Sequence, residues 1–246
     1  FPIYRENGTI ERIHNPETDP MVDSQLGPIP EGWEVNAVSR IADVHRGRSY
    51  RSKELASQGQ GLAFINLKCI DRNGGFRHDG LKWYSGPYKS QQEAHAGDIV
   101  MGVTDMTQER RVVARAARVP RGIADRFVYS MDLVKIVPSA IACPREYLYG
   151  LLRYSGFHDV VKQYANGANV LHLKPKHIED FSFALPREPL LRHYSKCICP
   201  MRHESDCLHT KNRALQQARD LLLPRLVSGQ LNVSELDTAF VEGNRD

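Results

Sequence analysis

The sequence predicts an α/β (α+β) chain: one mixed globular domain followed by a long C-terminal helix that packs as a coiled coil. Three observations predict it. From about 41 to 138, short apolar runs alternate with turn signals, the pattern of strands. From 146 to 154, apolar residues recur at helical spacing. From 188 to 226 helix formers dominate, and Met201, Leu208, Leu215 and Leu222 recur every seven residues.

The elements follow in order. Residues 1–28 read as a polar leader or linker punctuated by Pro2, Pro16, Pro20 and Pro28. The globular domain spans 29–187. Ile29-Pro30-Glu31-Gly32-Trp33-Glu34 marks its entry, and Val35 to Ala42 begins a short helix or strand. Leu62 to Leu67 is strand-like, and Asp71-Arg72-Asn73-Gly74-Gly75 is a turn. Gly97 to Val103 reads as a turn into a buried strand; Arg111 to Ala114 and Leu133 to Pro138 read as further strands. Glu146 to Tyr154 is a helix that His158 to Tyr164 extends or follows. Asn166 to Asn169 is a loop, Val170 to Leu173 a strand, and Phe181 to Leu185 a last strand ended by Pro186.

Residues 188–231 are helical. Pro200 is expected to end one helix and to sit in the first turn of the next, where its missing N–H costs nothing. Cys207, Ala214, Ala218 and Leu221 widen the leucine stripe of the helix from about 201 to 223. Such a helix is not stable alone and needs another, from this chain or a second one. Residues 232–246 form a polar tail.

Hydrophobic residues make up 41% and charged residues 25% of the 246, the composition of an ordinary soluble globule. No apolar run approaches the roughly 18 residues of a membrane span, and no basic flank precedes an apolar stretch at the start, so the chain reads as cytosolic. Net charge is +4, which permits a nucleic-acid partner without establishing one. Arginine dominates two stretches: Arg46, Arg48 and Arg51, then Arg110, Arg111, Arg115, Arg118, Arg121 and Arg126. Its planar fork takes a phosphate or a guanine edge in two bonds. Five cysteines, an odd number, imply reduced thiols.

Four segments together resemble a known family. They are Asp23 to Glu34; Gly97-Asp98-Ile99-Val100 followed by Thr104-Asp105-Met106-Thr107-Gln108; Ala165 to Leu173; and Asn212 to Leu231 with its Asp220-Leu221-Leu222-Leu223-Pro224-Arg225-Leu226 core. In their order and spacing the chain resembles the specificity subunit of type I restriction-modification systems. The resemblance implies a non-catalytic protein of the prokaryotic cytoplasm that needs no cofactor. Its implied partners are double-stranded DNA, methyltransferase (modification) subunits and a restriction subunit. A typical member has two target-recognition domains separated by two antiparallel helices. This sequence shows one of each, half of such a subunit. It is either a fragment or a half-length chain that pairs with itself through the C-terminal helix, and pairing predicts a palindromic split site.

The candidate DNA-reading residues fall in three places. Arg46, Arg48, Ser49 and Arg51 follow the first structured element as a loop; the alternative is a solvated basic loop. Thr104, Asp105, Met106, Thr107, Gln108, Arg110 and Arg111 follow a buried strand, and their amide, hydroxyl and guanidinium groups suit base edges. The alternative is a tight turn capped by Asp105 and Thr107. Asn166, Gly167 and Asn169, with His172 and Lys174 beyond them, allow close backbone approach, or form only a turn. Lys82, Tyr84, Tyr88 and Lys89 are weaker candidates for backbone contact. Met201, Leu208, Leu215, Ala218 and Leu222 form the partner or dimer face.

No glycine-rich nucleotide site, paired acid and base or nucleophile elbow is present, so no catalytic residue is assigned. Cys199, His203 and Cys207 share a helix face with Cys197 and His209 nearby, but span two turns, too far to hold one ion together unaided; small apolar seam residues are the simpler reading, and no metal is assigned. Two other readings remain: a Cys/His metal-dependent interaction module with no DNA role, and an enzyme with a hidden motif.

Overall fold

The computed structural model describes residues 2–4, 10–12, 20–139 and 143–231. The chain divides into two compact units, with the boundary between Arg202 and His203.

The first unit is built on two sheets. Ile99–Gly102 is buried along its whole length, so its unbroken apolar run is what a strand covered on both faces requires. It lies between Ala116–Arg118 and Leu133–Pro138, and Ala42–Arg46 completes an antiparallel sheet of four. The pleat divides these residues between two cores. Ile99, Met101, Val134 and Ile136 face Leu148, Tyr149 and Leu152, whereas Val100 and Leu133 face Ile65, Phe127 and Tyr129. The second sheet runs Glu93–His95, Arg126–Tyr129, Leu62–Ile65, Lys82–Tyr84 and Leu55–Ala56, with the one parallel pairing between Arg126–Tyr129 and Leu62–Ile65. The four-stranded sheet therefore lies between helices and the five-stranded sheet.

The helices are α1 (Val38–Ile41), α2 (Arg145–Tyr154), α3 (Phe157–Val161), α4 (Pro175–Glu179) and α5 (Glu188–Val227). Apolar residues at 148, 149 and 152 place one stripe of α2 in the core. Ser182–Leu185 pairs with Glu34–Ala37, which joins the end of the domain to its start. Pro186 then stops the strand and α5 begins at Glu188. Tyr194 of α5 packs edge-on against Tyr147 of α2, where Gly150 leaves no room for a methyl group beside the Tyr194 hydroxyl.

Several expectations need correction. Pro200 does not separate two helices; α5 runs through it without a break. Proline's own φ is helical, and within α5 it loses the bond to the Lys196 carbonyl and crowds that carbonyl with its ring, a local cost that the helix formers on either side outweigh. Arg111 to Ala114 is not a strand: Arg110 and Ala114 take positive φ (53° and 61°), and the next strand starts at Ala116. Within the leader, Met21–Val22 pairs with Ile29–Pro30 and Pro2–Tyr4 with Ile10–Arg12. The polar tail 232–246 lies outside the described residues.

In α5 the stripe is uncovered. Met201, Leu208, Leu215 and Leu222 are exposed, as are Ala218 and Leu221. Among the described residues, no helix is long and apolar enough to cross a membrane.

Candidate nucleic-acid interface

The buried strand Ile99–Gly102 delivers the chain to Thr104–Asp105, which pairs antiparallel with Leu171–His172. This pairing joins two segments that are more than sixty residues apart in sequence. The Gln108 amide reinforces it by donating to the carbonyls of Ala168 at 2.9 Å and Gly167 at 3.3 Å. Gly167 is required where the chain doubles back, since a Cβ there would lie 2.0 Å from the Val170 carbonyl oxygen. Asn166 and His172 exchange backbone hydrogen bonds across the turn. The side chains of Asn166, Asn169, His172 and Lys174 are exposed beside it.

Asp105 organises the segment that follows. It is buried, and both carboxylate oxygens are occupied. Oδ1 accepts from the Thr107 backbone N–H and hydroxyl, both at 2.9 Å. Oδ2 accepts from the backbone N–H of Val112 at 2.8 Å and of Val113 at 3.4 Å. Burial alone would raise its pKa, but the Val112 and Thr107 donors outweigh it and hold the carboxyl below the usual range. Thr104 is also buried, its hydroxyl donating to Asp132. Thr104 and Asp105 are thus turned inward, and the bonds of Asp105 present Met106, Thr107 and Gln108 at the surface. Met106 is 69% exposed, so its thioether side chain stands free at the tip of the anchored loop.

The two arginines of this loop differ. Arg110 reaches back along the protein, to the Gln163 side-chain oxygen at 3.1 Å and the Ala165 carbonyl at 3.4 Å. Arg111 is exposed and pairs with Glu109 at 2.6 Å.

Beside the loop runs an open groove. Tyr50, Lys68, Arg72, Arg77, Lys82 and Arg111 line it, together with Met106, Thr107 and the carboxylates of Asp105, Glu109 and Asp132. Asp105 is consumed within the fold, so cations dominate the accessible lining. Reasoning from sequence missed Lys68, Arg72 and Arg77. The available signal was the turn Asp71 to Gly75, which brackets Arg72 and sets Lys68 and Arg77 on either side of it. Gly74 and Gly75 take the left-handed conformation that this turn needs.

The first basic segment meets the groove only through Tyr50. Gly47 is pressed against the Ser130 carbonyl, which an added Cβ would meet at 2.1 Å. Arg48 bridges Ser130 and turns its guanidinium to the Tyr84 hydroxyl at 3.3 Å and to Glu54 at 3.8 Å. Arg46, Ser49 and Arg51 are exposed. Tyr84 belongs to the core and not to a surface: it is buried and stacks on Phe64. Among the described residues no three His, Cys, Asp or Glu side chains converge as a metal site.

No family model matches the chain. It is 25% identical over 232 residues to the specificity subunit of the type I restriction enzyme MjaIX of Methanocaldococcus jannaschii, covering 92% of this chain and 49% of that protein. Two solved structures share its fold. A chain from a structural study of complex assembly in the type I R-M system superposes with a TM-score of 0.54 at 17% identity, over 86% of this chain and 48% of that one. The S subunit of the type I restriction-modification system of M. genitalium gives 0.57 at 10% identity, over 80% and 46%. The chain spans about half the length of the curated relative it matches. In sequence and in fold it therefore resembles one half of a type I restriction-modification specificity subunit.

Proposed function

We propose that this chain is a sequence-specific DNA-binding protein without catalytic chemistry, which directs type I methyltransferase and restriction subunits to a split target. Residues 29–187 act as the recognition domain and 188–231 as a helical spacer and assembly element. The carrying observation is the loop that Asp105 anchors beside the cationic groove. Base-reading groups need a fixed scaffold, and phosphate contacts need a row of cations next to it. Met106, Thr107 and Gln108 are presented to base edges, while Lys68, Arg72, Lys82 and Arg111 take phosphates. The second recognition half comes from another copy, through the uncovered stripe of Met201, Leu208, Leu215, Ala218 and Leu222.

The test is selection from a randomised double-stranded DNA pool by the full chain, with and without a type I methyltransferase subunit. The expected product is a palindromic split site, enriched more strongly with the methyltransferase subunit present. A pool that stays random in both arms overturns the reading.

A further inference from the structure

We propose that Tyr194 and Gly150 form a clasp that fixes the heading of α5 on the recognition domain and so sets the number of base pairs between the two halves of the target. The proposal rests on the reading of this chain as half of a split-site recognition protein. It begins with Gly150, in the middle of α2. Glycine is among the poorest residues for a helix interior, where alanine is the best. A Cβ at Gly150 would lie 2.5 Å from the Tyr194 hydroxyl oxygen and 3.5 Å from its Cζ. The first distance is a clash and the second an ordinary van der Waals contact, so the hydroxyl alone excludes the methyl group. Here α5 is seated closer to α2 than any side chain at position 150 permits.

Two further contacts hold the same seat. The Tyr194 ring meets Tyr147 edge-on, with centroids 5.8 Å apart. About two turns further along α5, the Arg202 guanidinium lies 4.5 Å from the centroid of Tyr149, a cation–π distance. Tyr149 is buried and its hydroxyl accepts from Arg153 at 2.6 Å, so the ring that receives Arg202 is itself held in place. Tyr147, Tyr149 and Gly150 all belong to α2. That helix packs Leu148 and Leu152 in one core with Ile99 and Met101, on the strand that leads to Thr104 and Asp105. The heading of α5 is thus tied through α2 to the recognition loop. From the clasp α5 continues as one helix to Val227. At about 1.5 Å per residue, Leu208 of the exposed stripe lies about 21 Å along the helix from Tyr194. A tilt of about 10° at the clasp moves that point by about 3.7 Å, close to the roughly 3.4 Å rise of one base pair. A tilt too small to disturb the domain therefore changes the distance between half-sites by a base-pair step.

The experiment is selection from a randomised double-stranded DNA pool by the full chain with a type I methyltransferase subunit, with half-site bases and spacer length read separately by sequencing. The unsubstituted chain is expected to enrich two half-sites at one spacer length. Gly150→Ala is expected to enrich the same half-site bases with the spacer shifted by about one base pair or spread over neighbouring lengths. Adding Tyr194→Phe removes the hydroxyl, leaves the methyl group at ordinary contact distance and returns the original spacer. Tyr194→Ala, which adds no atom to α2, spreads the spacer as well. Far-UV dichroism and urea midpoints establish that each variant folds. A purely structural loss would lower the enrichment of every site and leave the spacer as it was. The clasp is overturned if Gly150→Ala and Tyr194→Ala keep the original spacer, if the half-site bases change with it, or if Tyr194→Phe does not restore the spacer in the Gly150→Ala background. A pool that stays random with the unsubstituted chain removes the split-site reading itself, and the clasp's role with it, before any variant is compared.

Discussion

The carboxylate of Asp105 accepts the backbone N–H of Val112 at 2.8 Å, seven residues further along the chain. One buried side chain thereby closes the loop that carries Met106, Thr107 and Gln108. The Val112 and Val113 donors go to this carboxylate, which is the physical reason that 111–114 does not extend a sheet.

Asp105→Asn keeps the shape but removes the charge and forces an NH2 group towards backbone donors. Hydrogen bonds to charged groups contribute about 1.5–3 kcal/mol each. The expected loss is about 2–4 kcal/mol in urea unfolding, together with weaker binding of cognate DNA. A change below about 0.5 kcal/mol would show that Asp105 does not hold the loop.

Arg110 and Arg72 separate positioning from charge. Arg110 is bound to Gln163 and Ala165, so Arg110→Ala loosens the loop without removing a phosphate contact. Affinity falls while the dependence of binding on salt stays the same. Arg72 lines the groove, so Arg72→Ala lowers the salt slope by about 1 and weakens all DNA sequences alike. Binding curves across a salt series decide it. If the slope drops for Arg110→Ala and not for Arg72→Ala, the two roles are reversed.

These roles show where sequence reasoning ends. The buried strand Ile99–Gly102 and the helix Arg145–Tyr154 were readable because periodicity reports burial directly. The segments 104–111 and 166–174 were each readable as loops with polar groups, but nothing local shows that Thr104 pairs with His172. Nor does local pattern show which arginine turns inward: Arg110 and Arg111 are neighbours with opposite fates. Lys68, Arg72 and Arg77 sit in or beside the turn Asp71 to Gly75, but no local pattern shows that the turn aims them into one groove. Pro200 misled because a helix-breaking preference of about 3 kcal/mol was set against a single junction and not against forty residues of helix.

His158 predicts a dependence on pH. It is 4% exposed, and burial, with the nearby charges of Arg115 and Lys162, lowers its pKa to about 4. Between the ordinary value of 6.5 and about 4, the unfolded chain holds a proton here that the folded chain does not. Stability therefore falls as pH falls through that window and levels off below it, by at most about 1.4 kcal/mol per pH unit. Urea midpoints between pH 7 and 4 should show the slope, and His158→Gln should flatten it. An equal slope in the variant would assign the effect to other groups.

The exposed leucines give the test of self-association. Leu215 is 68% and Leu222 48% exposed, so Leu215→Lys with Leu222→Lys costs a single chain little. In a paired helix each of these leucines gains about 1.5–3 kcal/mol from burial, and the substitutions forfeit that on both chains. Light scattering should find twice the 27.9 kDa chain mass for the unsubstituted protein and 27.9 kDa for the double variant. Met106→Lys, on the recognition loop, should leave the mass unchanged. A monomeric unsubstituted chain sinks the homodimer and with it the palindrome, because an unpaired recognition domain contributes one half-site alone. It leaves the groove and its loop in place as that half-site reader, with the second half supplied by a different chain.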